Sequence, residues 1–559
     1  MNEMIQTERK GQMNEPVQTT AVTGSAGQLF QEAAQKLRGE ARSAQEKVQQ
    51  TVTQQYPPDN LYGKRVKENF HIFGGATFLY ACLYAFCMYR NSSGVSYFFF
   101  VAGSLVYICY CLSKLGITWR KGNGFYMISM VLLSVSTFCT DDARIIFFNK
   151  LGVFLLTISM LLSIAYDTKK WNLGKYLGSI CTTCILVPGQ LGVPFRNAAW
   201  YYKNKLDKKN SRYLYVLAGL VITAPLFVIV LLLLTSADAV FRNMADNLLK
   251  GLHFSDMAAV GWMVCYMFLA SYCMLVLFCK KPLEEVVKDK RKGEPLIAIP
   301  VVTILSVLYL VFSGVQILYL FLGKMQLPEG YTYAEYAREG FFQLLAVGIL
   351  NLIIVLVCLY YFHSNKLLKM VLTVMSVCTF IMLASSGMRM MIYIQYYYLT
   401  FLRILVLWSL GVLFFIFLGV LIYTHKESFP LFRYSMVVVT CMYLCLSFSH
   451  PDYWIAKVNV AGMQEDRSGF FKGEAFDDYS YLSTLNADAA PVLLAFMDEE
   501  GYDYSCADKI QHYGVRKESF GYRWLERMRI LTRDMSLREF NVSRFWVDFN
   551  VVSRLTEGM

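Results

Sequence analysis

Eleven long apolar stretches alternate with polar connectors along this chain, at 72–89, 95–113, 124–140, 145–165, 213–235, 257–279, 296–323, 341–362, 367–387, 401–423 and 431–449. Each approaches the roughly 20 apolar residues that a helix needs to cross a bilayer core. The pattern therefore predicts an all-α, polytopic membrane protein with about 11 transmembrane helices. The stretch at 124–140 is short for a span. A further segment at 176–195 carries Gly, Pro and Thr within its apolar run, which suits an interfacial or re-entrant segment sheltered by protein better than a lipid-facing helix.

Outside these stretches the pattern changes. Residues 1–26 are polar without periodicity and read as disordered. From 27 to 54, Phe30, Ala34, Leu37, Ala41, Ala44 and Val48 fall on one helical seam, open to two readings, a surface-lying helix or a self-associating one. Tyr56, Pro57, Pro58 and Asp59 end it. The chain thus divides into an N-terminal region at 1–60, a membrane domain at 61–449 and a soluble, mostly helical tail at 450–559. In the tail, Asp452 to Met463 predicts an amphipathic helix with Ile455, Val458 and Met463 on one side. Asp488 with Pro491 predicts the start of a second, with Val492, Leu493 and Phe496 as its apolar face, and Tyr522 to Met535 a third.

Composition agrees with a membrane class, since 56% of residues are hydrophobic and 17% charged, against roughly a quarter charged in soluble domains. Charge then orients the chain. Alternate connectors carry 25 Lys and Arg on one side, beginning with Lys64, Arg65 and Lys67, against 9 on the other. Cytoplasmic loops hold the excess of these residues, so the N-terminus is expected in the cytoplasm and the tail outside a bacterial cytoplasmic membrane. The first span would then serve as an uncleaved insertion signal. The net charge of +12 is a topology signal and not a nucleic-acid one, because the basic runs at 203–212 and 280–292 flank spans, where anionic lipid headgroups are the expected partner. The tail has 13 basic and 18 acidic residues, net −5. Cys506 is its only cysteine, so it contains no disulfide of its own.

Candidate binding residues cluster on the connectors poor in Lys and Arg. Asp238 follows Ser236 and Ala237 as an N-cap or ligand contact, with Met244, Leu248 and Leu249 on the helix beyond. Thr332 and Glu335 have capping-box spacing, a structural role. Arg338 and Glu339 stand where the next helix enters the membrane and need partners there. Arg389, Tyr393 and Arg403 bracket a later turn and suit either an anion site or interfacial anchoring. Inside the spans, Gln316 and Asn351 are the notable polar residues, which interhelical hydrogen bonds explain without a substrate.

Catalytic and cofactor signatures fail. The six His are scattered, no His/Cys cluster has zinc spacing, and there is no phosphate-binding Gly-rich loop or nucleophile elbow. No metal, cofactor or catalytic residue is assigned. Cys181 and Cys184 form a lone Cys-x-x-Cys in an apolar segment, a weak redox signal. Asp141 and Asp142 are a weak signal for a metal-bound sugar-phosphate donor. The sequon at Asn541 is attributed to chance.

The order of these motifs resembles a family of bacterial multi-pass membrane proteins catalogued as a domain of unknown function, the 4153/4173 group. The resemblance rests on Ser236 to Phe241, Gln316, Tyr333 to Phe341, Arg389 to Tyr393, Tyr397 to Arg403, Ala456 to Asn459 and Asp488 to Pro491, and covers roughly 72–559. Ala239 stands where the family pattern has Pro, and Tyr398 where it has Gly, so a different backbone is expected at that second turn. The resemblance implies no activity. The preferred functional reading is a recognition or scaffold protein binding an envelope component or partner protein at the outer face. A small-solute or lipid transporter is the alternative. A membrane-embedded envelope transferase using Asp141, Asp142 or Asp238 is a third class, disfavoured by the missing signatures.

Overall fold

In a computed structural model the described residues are 61–205, 254–280, 291–318, 333–466, 475–501, 519–532 and 535–557, with short omissions at 92, 120–121, 167, 169–170 and 172 and isolated positions between 223 and 238. Within them the apolar stretches become helices: α1 Leu61–Glu68, α2 Phe70–Met88, α3 Ser96–Leu115, α4 Asn123–Cys139, α5 Ala143–Ala165, α6 Leu173–Leu186, α7 Val193–Lys205, α8 Phe254–Lys280, α9 Pro295–Gln316, α10 Tyr333–Tyr361, α11 Lys366–Tyr397, α12 Phe401–His425 and α13 Leu431–Phe448. The tail adds α14 Pro451–Asp466, α15 Ala475–Leu482, α16 Ala490–Glu499, α17 Ser519–Thr532 and α18 Val542–Glu557. Residues Leu61–Met559 form one compact unit, distinct from Met1–Asn60. The N-terminal seam, Thr332, most of the stretch at 213–235 and Cys506 lie outside the described residues.

Nine of these helices are long and apolar enough to cross a membrane. Their surfaces show why they need one. Leu79, Phe86, Trp262, Leu296 and Ile304 are all more than two-thirds exposed, far more contiguous apolar surface than water tolerates. The protein is thus a multi-pass membrane protein. The short helix α4 packs along α5 as an antiparallel hairpin, with Asn123 accepting from Ser163 Oγ at one end (2.7 Å) and Thr140 to Asp142 turning the chain at the other.

Helix ends fall on two opposite faces. On one, Arg65 donates to the Leu115 carbonyl (2.8 Å), and Glu427 accepts from Arg291 and Lys369 (2.9 Å each). Those two cations hold the Glu427 carboxyl down at about 2. The Gly/Pro-containing segment lies on this face as a bent pair, Gly174–Gln190 and Val193–Lys205, with 49° between its arms. Lys280 reaches Gln190 (2.9 Å), Tyr176 stacks on Phe432, and Lys67 lies over Trp200. Both arms therefore stay near the α1 end, as a re-entrant or interfacial segment does.

The tail sits on the opposite face. Its core gathers Ile455, Leu493, Phe496, Met497, Trp524 and Val547, each contributing about 1.5–3 kcal/mol on burial. Leu399, from the α11–α12 turn, belongs to the same core. Two sequence expectations are corrected here. Val458 is exposed while Ala456 and Val460 are buried, because the buried stripe of α14 centres on Ile455 and Asn459. Asn486 caps the short 3-10 turn Ala487–Ala489 that leads into α16, its side chain accepting from Asp488 N, and the Asp488 carboxylate turns toward the membrane bundle.

Candidate functional site

The turn between α4 and α5 is where the tail meets the bundle. Asp142 caps α5 by accepting from Arg144 N (2.9 Å), which satisfies a backbone donor that the helix start leaves open. The Arg144 guanidinium donates to Asp142 (2.7 Å) and to Asp452 at the start of α14 (2.8 Å), and lies 3.7 Å over the Phe401 ring. The other Asp452 oxygen accepts from Asn486 N (3.1 Å). Asp488 in turn accepts from the Thr140 hydroxyl and from Asp141 N (3.1 Å), and pairs with His450 Nδ1 at 3.4 Å.

A third tail segment closes the turn. Arg544 donates to Asp141 (2.6 Å), Asn541 donates to the carbonyls of Thr140 (2.8 Å) and Ser93 (3.3 Å), and Ser543 donates to that of Cys139 (2.7 Å). Asn541 is fully buried, so the folded chain offers no glycosylation acceptor there. One turn deeper, Asn149 accepts from Tyr443 (2.8 Å) and Ser447 (2.7 Å), tying α5 to α13 beneath the cluster.

Charge balance explains the titration of this cluster. Arg527 donates to the Leu485 carbonyl and lies within electrostatic reach of Asp141 and Asp452. Four carboxylates thus face three guanidinium groups and one imidazole, and a single proton brings the set to neutrality. Burial, reinforced by Asp142, lifts the Asp452 carboxyl from 3.8 to about 6. Burial also raises Asp141 despite Arg544. The hydrogen bond to Asp488 raises His450 against the effect of its own burial. Burial opposes ionisation of Asp488 too, but His450, Ser543 and Thr140 together outweigh it and hold that carboxyl low. The backbone at His450 is left-handed (φ 48°), which turns the chain sharply from α13 into α14.

The residues singled out from sequence distribute around this junction. Arg389 is buried and donates to Gln316 (3.3 Å), which also accepts from Ser385 (2.6 Å). Gly340 makes the passage possible, since a Cβ there would stand 2.0 Å from Arg389 Nη1. Arg403 lies 4.3 Å over the Tyr393 ring and donates to the carbonyls of Tyr397 and Tyr398. These two arginines are thus directed into separate contacts.

Tyr398 adopts φ 59°, ψ −170°, the left-handed region that favours glycine. The turn therefore has a glycine-like backbone although its residue is Tyr. The strain is met by Asn459, whose amide brackets Leu399 N (2.8 Å) and O (3.0 Å), and by Gly462, which leaves room for the Tyr398 ring. Asn351 donates to Thr379 (2.9 Å). Asp238 is exposed, its amide bonded to the Leu234 carbonyl (3.1 Å), and the helix expected after it lies outside the described residues. Glu335, Arg338 and Glu339 fall on α10, and their side chains lie outside the description.

Sequence reasoning missed Arg144, His450, Asp452 as a charged partner, Arg527, Asn541 and Arg544. Asp141 and Asp142, read as a weak donor-binding pair, are engaged by Arg544 and Arg144. Among the described residues no group of three or more His, Cys, Asp or Glu is arranged to hold a metal ion, and the fourteen described cysteines are free thiols. Among the described residues one pocket lies between Ile158, Thr183 and Met274, and another beside Leu537. The chemistry that the cluster supports is proton-linked docking of the tail.

No curated protein and no solved structure matches the chain. Residues 127–496 match the family described as domain of unknown function (DUF4153). The matched region runs from α4 into α16, and so includes the α4–α5 turn, Arg389, Arg403, Asn459 and Asp488 but not α18. It covers well over half of the chain, which therefore belongs to the DUF4153 family of proteins.

Proposed function

We propose that the protein is a recognition or scaffold component at the outer face of a bacterial cytoplasmic membrane. In this reading the helical bundle holds the tail in one register for an envelope component or partner protein. The observation that carries it is the grip of three separate tail segments, at 450–452, 486–488 and 541–544, on the single stretch Thr140 to Arg144. In this reading the ionic contacts serve to fix one arrangement of the tail more than to add net stability. The Lys/Arg asymmetry supports a cytoplasmic face at α1 and an extracytoplasmic tail. The test is Asp488→Ala in the full-length protein, scored by protease resistance of the tail and by crosslinks to membrane partners. Both are expected to fall. If both stay at the wild-type level, the reading is wrong.

A second reading, a small-solute or lipid transporter, draws on the polar contacts of Gln316, Ser385, Asn351 and Thr379 inside apolar spans. Transporters place their sites near the bilayer midplane. Asn351→Leu would then abolish flux while leaving tail protection intact, and loss of neither would exclude this role.

A further inference from the structure

The helix α18 is apolar on two opposite sides. Val547 and Val551 face the tail core, while Val542, Phe545, Trp546 and Phe549 form a second stripe at i, i+3, i+4 and i+7 that is open to the surroundings. Phe549 is 70% and Phe545 49% exposed, and Leu537 in the preceding strap is 91% exposed. A tail facing only water would leave this surface uncovered.

Hydrogen bonds fix its depth. Arg538 donates to the carbonyl of Phe86, two residues inside the end of α2, and its own carbonyl accepts from Asn91. Phe540 O accepts from Val95 N in the α2–α3 connection, and Ser543 donates to Cys139, the last residue of α4. The strap and the first turn of α18 therefore lie level with the ends of two membrane helices. At that level Phe86 is itself 68% exposed on the lipid-facing side of α2. The open stripe continues the surface that already faces lipid.

The chemistry fits the same layer. Aromatic rings concentrate where acyl chains give way to headgroups, and Arg538 in the strap adds a partly exposed cationic group suited to lipid phosphates. A groove of about 350 Å³ beside it combines Met535, Leu537, Phe540 and Phe545 with the polar Ser536 and Asp548. Mixed lining of this kind matches the glycerol region of a phospholipid. We propose that the 536–540 strap and the outer stripe of α18 seat in the interfacial layer of the leaflet on the tail's side, making the tail a lipid-surface element as well as a bundle-docked one. This inference depends on the membrane spans alone and is independent of which partner the tail recognises.

The test replaces Leu537, Phe545 or Phe549, one at a time, by p-benzoylphenylalanine in the full-length chain, in nanodiscs of phosphatidylethanolamine and phosphatidylglycerol. Phe86 is the lipid-facing control, and Glu526, whose side chain is 55% exposed on α17, the water-facing one. After illumination, a mass shift of one phospholipid is expected at 537, 545 and 549 at a yield comparable to that at 86, with none at 526. A lipid adduct at 86 but none at the three tail positions overturns the proposal. So does a crosslink from those positions to a second copy of the chain or to another protein in native membranes.

Discussion

Replacing Asp452 by Asn should strengthen tail docking at neutral pH and reduce its dependence on acidity. Burial raises this carboxyl from 3.8 to about 6, which corresponds to roughly 3 kcal/mol favouring its neutral form. The side chain is 3% exposed, so solvent screens little of that effect. The docked state holds more protons than the released state between those two values, and docking weakens as pH rises through that window. His450, raised above 6.5, contributes stability that is present below 6.5 and lost as pH climbs through its docked value. Asp488, held low, acts in the other direction and weakens docking only as pH falls below the usual carboxylate range.

Docking is therefore strongest in mild acid and declines toward neutrality. Asn keeps an acceptor for Asn486 N, and Arg144 keeps its contacts with Asp142 and Phe401. The net gain at neutral pH is expected at about 1–3 kcal/mol, below the full value because the Asn amide must face Arg144. Hydrogen exchange of α17 and α18 amides, corrected for intrinsic rates, measures it between pH 5 and 8. Wild-type protection should fall across this range, and Asp452→Asn should keep only the decline contributed by Asp141 and His450. A variant with the wild-type slope would refute the titration scheme.

Three further substitutions probe the packing around the site. Gly340→Ala places a methyl group 2.0 Å from Arg389 Nη1 and should displace it from Gln316, lowering thermostability in detergent by an amount equivalent to about 1–3 kcal/mol. At Tyr398, both Gly and Ala remove the ring packed on Gly462, but only Gly relieves the left-handed backbone, so Tyr398→Gly should be more stable than Tyr398→Ala by about 1–2 kcal/mol. Asn459→Leu strands the buried N–H and C=O of Leu399 and should cost about 2–4 kcal/mol, seen as faster exchange in α14 and at the α11–α12 turn.

Nine of the eleven expected spans were legible because each is a local run of apolar residues, while 124–140 forms a shorter helix and most of 213–235 lies outside the described residues; the bent segment was legible because Gly and Pro mark it. The docking cluster was not, since its partners are distant in sequence: Arg544 and Asp141 stand 403 positions apart. Asp488 looked like a helix cap because Pro491 follows it, and only the fold shows Thr140 opposite its carboxylate. Asn541 looked like a stray sequon for the same reason. Helix α18 escaped because apolar residues on two sides blur the single-face period that marks a helix in water. Gln316 and Asn351 were read as interhelical hydrogen-bonding residues, and Ser385 and Thr379 are the partners that the fold supplies.

Sidedness underlies the whole functional reading, and the only thiol in the tail sequence, Cys506, tests it directly. Intact cells would be treated with a membrane-impermeant maleimide, with Cys506→Ser as background and denatured protein to establish that the thiol reacts. Labelling in intact cells is the predicted result and places the tail outside. Labelling that appears only after permeabilisation would put the tail in the cytoplasm and contradict the account.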